Sequence, residues 1–261
     1  MGSCLNPLGV LASSTTPLKS RSGYNPAYPT RFNPLRTTAT GITSLDNRTY
    51  APEPLLQEYD AKKDARRELY IDLFGENGID GILDEMRDSY ESIIPDMPYI
   101  GERNFHLVWF IPNSEKLAEY LVAEKYGVTK REFSHLHLTQ ASKDLLATPE
   151  DELIMAGQMN FGFRTELLMM ANALWSQFRT YPDDYIYRFR KGDGVDFDWG
   201  LDYTQCSNVL LYEKYDATDL LLPLVCTMDD LAGSAMRTGY RRTMQLATGD
   251  PMCDLRWKLQ E

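Results

Sequence analysis

The last sixty residues of the chain decide its fold, and they open with the stretch Trp199-Gly-Leu-Asp-Tyr-Thr-Gln-Cys206. Three more segments follow: Cys226-Thr-Met-Asp229, Tyr240-Arg-Arg-Thr-Met-Gln-Leu-Ala-Thr-Gly249 and Cys253-Asp-Leu-Arg-Trp257. Three of the four cysteines lie in these segments, with acids or arginines close by in sequence. Packing alone gives little reason to combine these residue types, so we expect the chemistry of the protein here.

Apolar and polar residues alternate with period two around this region, which predicts strands. The first predicted hairpin has strands at residues 185–190 and 195–199 and the turn Lys191-Gly-Asp-Gly194. The second has strands at residues 240–247 and 252–258 around the turn Thr248-Gly-Asp-Pro251. Two short helices are predicted between the hairpins, at residues 207–215 and 218–236. The order β-β-α-α-β-β predicts an antiparallel sheet with helices over one face.

The residues before this sheet have helical periodicity from Leu55 onward, which predicts an α+β protein with a helical N-terminal half. Five helices are predicted: residues 55–75, residues 79–94, one capped by Asn113 or Ser114 and ending at Gly127, one opening at Thr129, and a long one that includes residues 166–178. In the last helix a stripe with core-like spacing is formed by Leu167, Met170, Ala171, Leu174 and Phe178.

Residues 1–54 are rich in Pro, Ser, Thr and Gly, so they predict a flexible leader or an extended arm. Tyr24, Tyr28 and Phe32 give this segment something to bury, which favours an arm lying across the body or across a partner subunit. An arm that lies across a partner subunit would make the protein a homo-oligomer. Residues 55–261 are predicted to form one domain.

The formal charge of −11 argues against partners that are nucleic acids or anionic membranes, because both require clustered Lys and Arg. No apolar run reaches the roughly 18–20 residues of a membrane helix, and no signal peptide follows Met1. The cysteines form no Cys-x-x-Cys pair. We therefore predict reduced thiols and a cytoplasmic protein.

Cys206 lies where a predicted strand passes into a helix. A thiol there would be close to unpaired N–H groups and the positive end of the helix dipole, which lower its pKa. The alternative is a buried thiol that acts as a small apolar side chain.

Cys226 and Asp229 are three residues apart on one predicted helix face. Partial burial of Asp229 beside apolar residues would raise its pKa toward a range suited to proton transfer, whereas the alternative is a solvated edge. Cys253 is predicted on one face of the final strand and Asp254 on the other. Arg242 is predicted either to pair with Asp254 across the sheet or to hold a substrate carboxylate.

The histidines predict no metal site, because His135 and His137 have no third ligand at a zinc-like spacing. His106 lies in an apolar run and is predicted to be a satisfied core residue. The sequence has no serine nucleophile elbow, no nucleotide-type Gly-rich loop and no H-E-x-x-H motif. We predict no cofactor.

Taken together, the C-terminal motifs resemble the L-2-amino-thiazoline-4-carboxylic acid hydrolase family. The resemblance is carried by Cys206, Cys226 with Asp229, Arg242-Thr243, Leu246-Ala247, Gly249, and Cys253-Asp254-Leu255-Arg256. Upstream, Met97-Pro-Tyr-Ile-Gly-Glu-Arg-Asn104 resembles the Pro-x-Ile-Gly-Gly-x-x-Asn segment of that family. The chain departs from the family pattern at Glu102, Gln245 and Leu255, where Gly, Thr and Phe are usual.

The resemblance implies a small-molecule hydrolase that opens or hydrolyses a cyclic, amidine-like C–N bond. It implies catalytic roles for Cys206, Asp229 and Cys253, with Cys206 as nucleophile or water-positioning group and Asp229 as acid/base. It implies substrate binding by Asn104, Arg242 and Asp254, with Arg242 as a carboxylate clamp. Two alternatives stay open: a cyclase, isomerase or lyase on the same fold, and a non-catalytic ligand-binding protein.

Overall fold

Helices precede a small antiparallel sheet in the computed structural model, which describes residues 48–178 and 180–260. The first part contains α1 (Pro52–Asp60), α2 (Lys63–Phe74), α3 (Ile79–Ile93), α4 (Leu107–Lys125), α5 (Lys130–Ala147), α6 (Glu150–Met159) and α7 (Phe163–Ser176). The second contains β1 (Ile186–Lys191), β2 (Trp199–Gln205), α8 (Ser207–Lys214), α9 (Thr218–Leu221), α10 (Thr227–Ala235) and β3 (Cys253–Trp257). The predicted α+β class is confirmed. Residues 1–47, which hold most of the predicted arm, lie outside the described residues.

Two of the predicted helices form as expected. The buried residues of α3 recur every three or four positions and face the main core: Ile79, Ile82, Leu83, Met86, Tyr90 and Ile93. Thr129 caps α5 with reciprocal hydrogen bonds, because its hydroxyl accepts from the Glu132 N–H at 3.2 Å and its own N–H donates to the Glu132 carboxylate at 2.9 Å.

The predicted helix over residues 55–75 is two helices, α1 and α2, separated at Ala61 and Lys62. The first begins early, at Pro52, because proline suits the first turn of a helix. The break directs α2 so that the buried Arg66 guanidinium meets two carboxylates of α4, at 2.7 Å from Glu115 and 2.5 Å from Glu119.

The predicted helix cap at Asn113 or Ser114 is wrong, because α4 begins at Leu107 and continues through Pro112. Asn113 and Ser114 are buried in the middle of the helix, where the Ser114 hydroxyl donates to the Ile111 carbonyl at 2.7 Å. Burial of the apolar flank of α4 outweighs the helix-breaking tendency of proline.

The predicted core stripe of α7 is also wrong. Leu167, Met170, Leu174 and Phe178 are 54%, 45%, 64% and 72% exposed, respectively. The opposite face is the buried one, with Met169, Ala173 and Ser176 against β1.

The sheet has the order β1-β2-β3 and is antiparallel throughout, with Trp199 paired to both Lys191 and Trp257. The strand predicted at residues 195–199 is mostly a loop, because the Asp193 carboxylate accepts the N–H groups of Val195 and Asp196 at 2.8 Å each. The turn is therefore longer than predicted, and β2 begins at Trp199.

The strand predicted at residues 240–247 does not form, and only Arg241 pairs there, with Arg256. The Asp254 side chain takes the N–H groups of Thr243 and Met244 in place of a continued ladder. The sheet accordingly has three strands among the described residues. Among the same residues, none of the helices is both long and apolar enough to cross a membrane.

Candidate functional site

A cavity of about 220 Å³ lies between α4, strands β2 and β3, and the start of α10. Most of its wall is carbon, and seven phenylalanine, tyrosine and tryptophan side chains contribute to it: Phe105, Trp109, Tyr185, Trp199, Tyr203, Tyr240 and Trp257. Trp199 and Trp257 stack on each other with their ring centroids 4.3 Å apart. For comparison, an apolar cavity of roughly 150 Å³ is large enough to hold benzene. This cavity therefore has room for a ring that carries additional groups.

The structure brings together four of the predicted site residues at this cavity: Cys206, Asp229, Arg242 and Cys253. They come from separate parts of the C-terminal region. Cys206 joins β2 to α8, Asp229 lies in the first turn of α10, and Cys253 begins β3. Arg242 lies in the irregular segment before β3. Cys226, which the sequence placed on one helix face with Asp229, lines the same cavity.

The position of Cys206 is as predicted, but the expected low pKa is wrong. Burial raises the pKa of the Cys206 thiol to about 12, although the N–H groups of Val209 and Asn208 lower it. Burial also raises the pKa of Cys226 and Cys253. All three thiols are therefore protonated near neutral pH.

Asp229 is the carboxyl group of this cavity. Asp229 lines the cavity wall, and about 52% of its side-chain surface is accessible to solvent. Burial raises the pKa of Asp229 to about 6, Arg242 and the Tyr240 hydroxyl lower it, and the charge of Asp230 raises it. The raised pKa agrees with one of the two predictions for Asp229, whereas its exposed side chain agrees with the alternative of a solvated edge.

Arg242 does not pair with Asp254, contrary to one of the two predictions for it. Its guanidinium is almost entirely buried, with Nη1 3.6 Å from Asp229 and Nη2 3.4 Å from Asp230. Nη2 also donates to the Cys226 carbonyl at 3.2 Å. The charge of Arg242 is thus largely compensated by the protein itself.

Asp254 was predicted to bind the substrate, but it does not line the cavity. Its hydrogen bonds instead position a neighbouring segment of the chain. Its carboxylate accepts from the Thr243 N–H at 2.7 Å, the Thr243 hydroxyl at 2.5 Å and the Met244 N–H at 2.6 Å. Burial alone would raise the pKa of Asp254, but these hydrogen bonds lower it below its usual value. They fix the segment that carries Arg242.

Asn104 was also predicted to bind the substrate, but it lies behind the cavity wall and positions other residues. Its amide donates to the Ile100 carbonyl at 3.0 Å and to Asp184 at 2.8 Å, while its oxygen accepts from the His106 N–H at 3.0 Å. The same oxygen lies 3.2 Å from His106 Nδ1. Because this oxygen can only accept, Nδ1 carries the proton.

His106 is buried and both of its ring nitrogens have hydrogen-bond partners, as predicted, and it also lines the cavity. With Nδ1 protonated, its Nε2 accepts from the Tyr203 hydroxyl at 3.2 Å. Burial lowers the pKa of His106 to about 3, so the ring stays neutral. His106 therefore orients Tyr203, a wall residue that was not predicted from the sequence. The signal was available, because Trp199, Leu201 and Tyr203 alternate along β2 and all face the cavity.

His135 and His137 do not contribute to the cavity, and His137 Nε2 lies 3.0 Å from the Tyr70 hydroxyl within the helical part. In the described part of the chain, no three His, Cys, Asp or Glu side chains are arranged to hold a metal ion.

Comparison with known proteins finds no matching family model, no matching curated protein and no matching solved structure. The resemblance to the L-2-amino-thiazoline-4-carboxylic acid hydrolase family therefore stays a prediction.

Proposed function

We propose that this protein is a small-molecule enzyme in which Asp229 transfers a proton to or from a substrate bound in the cavity. The observation that carries this proposal is a carboxyl group on a mostly apolar cavity wall with a pKa of about 6. Both of its protonation states are populated near neutral pH, which is the condition for efficient general acid/base catalysis.

The reaction class follows from the family resemblance together with the state of the thiols. Hydrolysis of a cyclic C–N bond forms a bond from water oxygen to the amidine carbon and breaks the bond from that carbon to the ring nitrogen. The Asp229 carboxylate accepts a proton from the water, and its protonated form then donates to the departing nitrogen. Since Cys206 is protonated, its role here is to position water, and water is the nucleophile.

A cyclase, isomerase or lyase is the second candidate. The carbon-rich wall favours it, because a cavity of this kind holds few ordered waters and suits rearrangement of an apolar intermediate. The same Asp229 carboxyl group would serve as the acid/base. A non-catalytic binding protein is the outcome that would remove both candidates.

The experiment is turnover of 2-aminothiazoline-4-carboxylate by the native protein and by two isosteric variants. Asp229→Asn removes the ionisable group from the cavity and should lower kcat by about 100-fold or more. Asp219→Asn is the matched control, because Asp219 is an exposed residue of α9 that pairs with Lys130. It should leave kcat unchanged.

Native turnover that persists within a few-fold in Asp229→Asn would contradict the role of Asp229. Complete loss of turnover after iodoacetamide treatment that is confined to Cys206, together with an inactive Cys206→Ser variant, would instead restore a thiol nucleophile. Stoichiometric binding without turnover would support the binding protein.

A further inference from the structure

Lys116 is a half-buried cation on the cavity wall that the reaction described above does not use. It lies on α4 in the row His106, Trp109, Asn113 and Lys116, whose members all line the cavity. The spacing of three or four residues puts them on one face. Ten residues of helix rise about 15 Å, so His106 and Lys116 mark two ends of an elongated wall.

The two acids nearest to Lys116 on α4 are already neutralised by other groups. Glu115 accepts from Arg66 at 2.7 Å and from Lys62 at 3.2 Å. Glu119 accepts from Arg66 at 2.5 Å and from the Tyr70 hydroxyl at 2.6 Å. No carboxylate among the described residues forms a salt bridge with the Lys116 ammonium group.

The other cation of the wall is differently placed. Arg242 lies within 3.6 Å of Asp229 and 3.4 Å of Asp230, so its charge is compensated before any ligand arrives. His106 is neutral because burial lowers its pKa to about 3. Lys116 lines the carbon-rich wall, and its charge also reaches the His137 ring, whose pKa is lowered by burial and by this charge. A ligand with a carboxylate would bring the negative charge that this ammonium group lacks.

We propose that Lys116 binds the carboxylate of the substrate, and that the substrate is a ring-bearing carboxylic acid with an apolar body. Its acid group lies at the Lys116 end of α4, its rings lie against the tryptophans, and its reacting group lies at Asp229. This inference rests on the proposed function. It moves the carboxylate contact from Arg242 to Lys116 and leaves Arg242 as the partner of Asp229.

The probes are naphthalene-2-carboxylate and naphthalene-2-carboxamide, which share a two-ring body and differ in charge. Their binding to the full chain is measured by calorimetry at pH 7.5. The native protein should bind the carboxylate at least about tenfold more tightly than the amide. Lys116→Met should bring the ratio close to one, and Lys116→Arg should retain the preference.

Lys125→Met is the matched control, since Lys125 is an exposed residue at the end of the same helix and does not line the cavity. It should keep the native ratio. The proposal is overturned by a native ratio near one, by a ratio unchanged in Lys116→Met, by an equal loss in Lys125→Met, or by failure of both probes to bind. Thermal unfolding of each variant shows that the comparison concerns folded protein.

The readout is the affinity ratio and is separate from turnover. An active Asp229→Asn variant would remove the proposed acid/base role and leave the dependence of the ratio on Lys116 as it is. An affinity ratio that is unchanged in Lys116→Met would rule out the proposed contact between Lys116 and the carboxylate. It would not alter the expected effect of Asp229→Asn on kcat.

Discussion

At the scale of single residues, two opposing effects act on the Cys206 thiol. The N–H groups of Asn208 and Val209, at the start of α8, lower its pKa, while burial raises it. Burial is the larger effect and leaves the pKa at about 12. Sequence position reveals the helix start but not the depth of burial, which explains why the sequence predicted the opposite shift.

The first prediction concerns the reactivity of this thiol. Iodoacetamide should modify Cys206 at pH 7.5 at least about 100-fold more slowly than glutathione, because only the thiolate reacts. Mass spectrometry of the peptide that contains Cys206 gives the rate. The rate should still be rising about tenfold per pH unit at pH 9, which separates a high pKa from poor access. A rate close to that of glutathione at pH 7.5 would show that the thiol is activated.

At the scale of elements, α7 shows where periodicity succeeds and where it fails. The apolar spacing of Leu167, Met170 and Leu174 correctly indicated a helix, but it assigned the wrong face to the core. The inner face is selected by contacts with β1, where the Tyr187 N–H donates to the Ser176 hydroxyl at 3.1 Å. Such a contact depends on a strand ten residues further along the chain, and helical periodicity carries no information about it.

The second prediction compares the two faces of α7. Leu174→Gln should change the free energy of unfolding by less than about 0.5 kcal/mol, because Leu174 is 64% exposed. Met169→Ala on the opposite face should lower it by about 2–5 kcal/mol. Urea unfolding measures both. If Leu174→Gln proved as damaging as Met169→Ala, the assignment of the buried face would be wrong.

The third prediction concerns the segment held by Asp254. Asp254→Asn removes the negative charge and replaces Oδ2, which accepts from the Thr243 hydroxyl, by an NH2 group; it should lower the free energy of unfolding at pH 7 by about 1.5–3 kcal/mol. The pKa of Asp254 is lowered in the folded state, so its stabilising contribution is present above the pKa of the unfolded chain. It is lost as pH falls through the folded pKa.

The measurement is urea unfolding of the native protein and the Asn variant over a series of pH values. The difference between them should be largest near pH 7 and should shrink in acid. A difference that does not depend on pH would mean that the carboxylate charge is not what holds Thr243 and Met244.

At the scale of the whole molecule, the sequence identified much of the cavity but not its full composition. Cys206, Asp229 and Arg242 were predicted from residue type and local position, and Cys253 from the family resemblance; the fold brings all four to one cavity. Lys116 was missed because the start of α4 was placed too late, so its cavity-facing row was not recognised. Asn104 and Asp254 were wrongly predicted to bind the substrate, because the order of the motifs does not show which of their residues line the cavity and which lie behind its wall.

The raised pKa of Asp229 is also a property of the whole fold, because the wall around it comes from α4, the sheet and α10. A carboxyl group whose pKa is raised on folding favours the folded state in its neutral form. The carboxyl group therefore opposes folding progressively as pH rises from the unfolded pKa of about 4 to the folded value of about 6. Asp229→Asn should accordingly raise the melting temperature at pH 8 relative to the native protein, and not at pH 3.

The role of Asp229 is tested most directly by an NMR titration of its side-chain carbonyl carbon in the folded protein, with the resonance assigned from its loss in Asp229→Asn. The midpoint should lie at about pH 6 in the folded protein and return to about 4 when the chain is unfolded in urea. A folded midpoint at the ordinary value of 3.8 would show that the cavity does not prepare Asp229 for proton transfer, and it would contradict the proposed function.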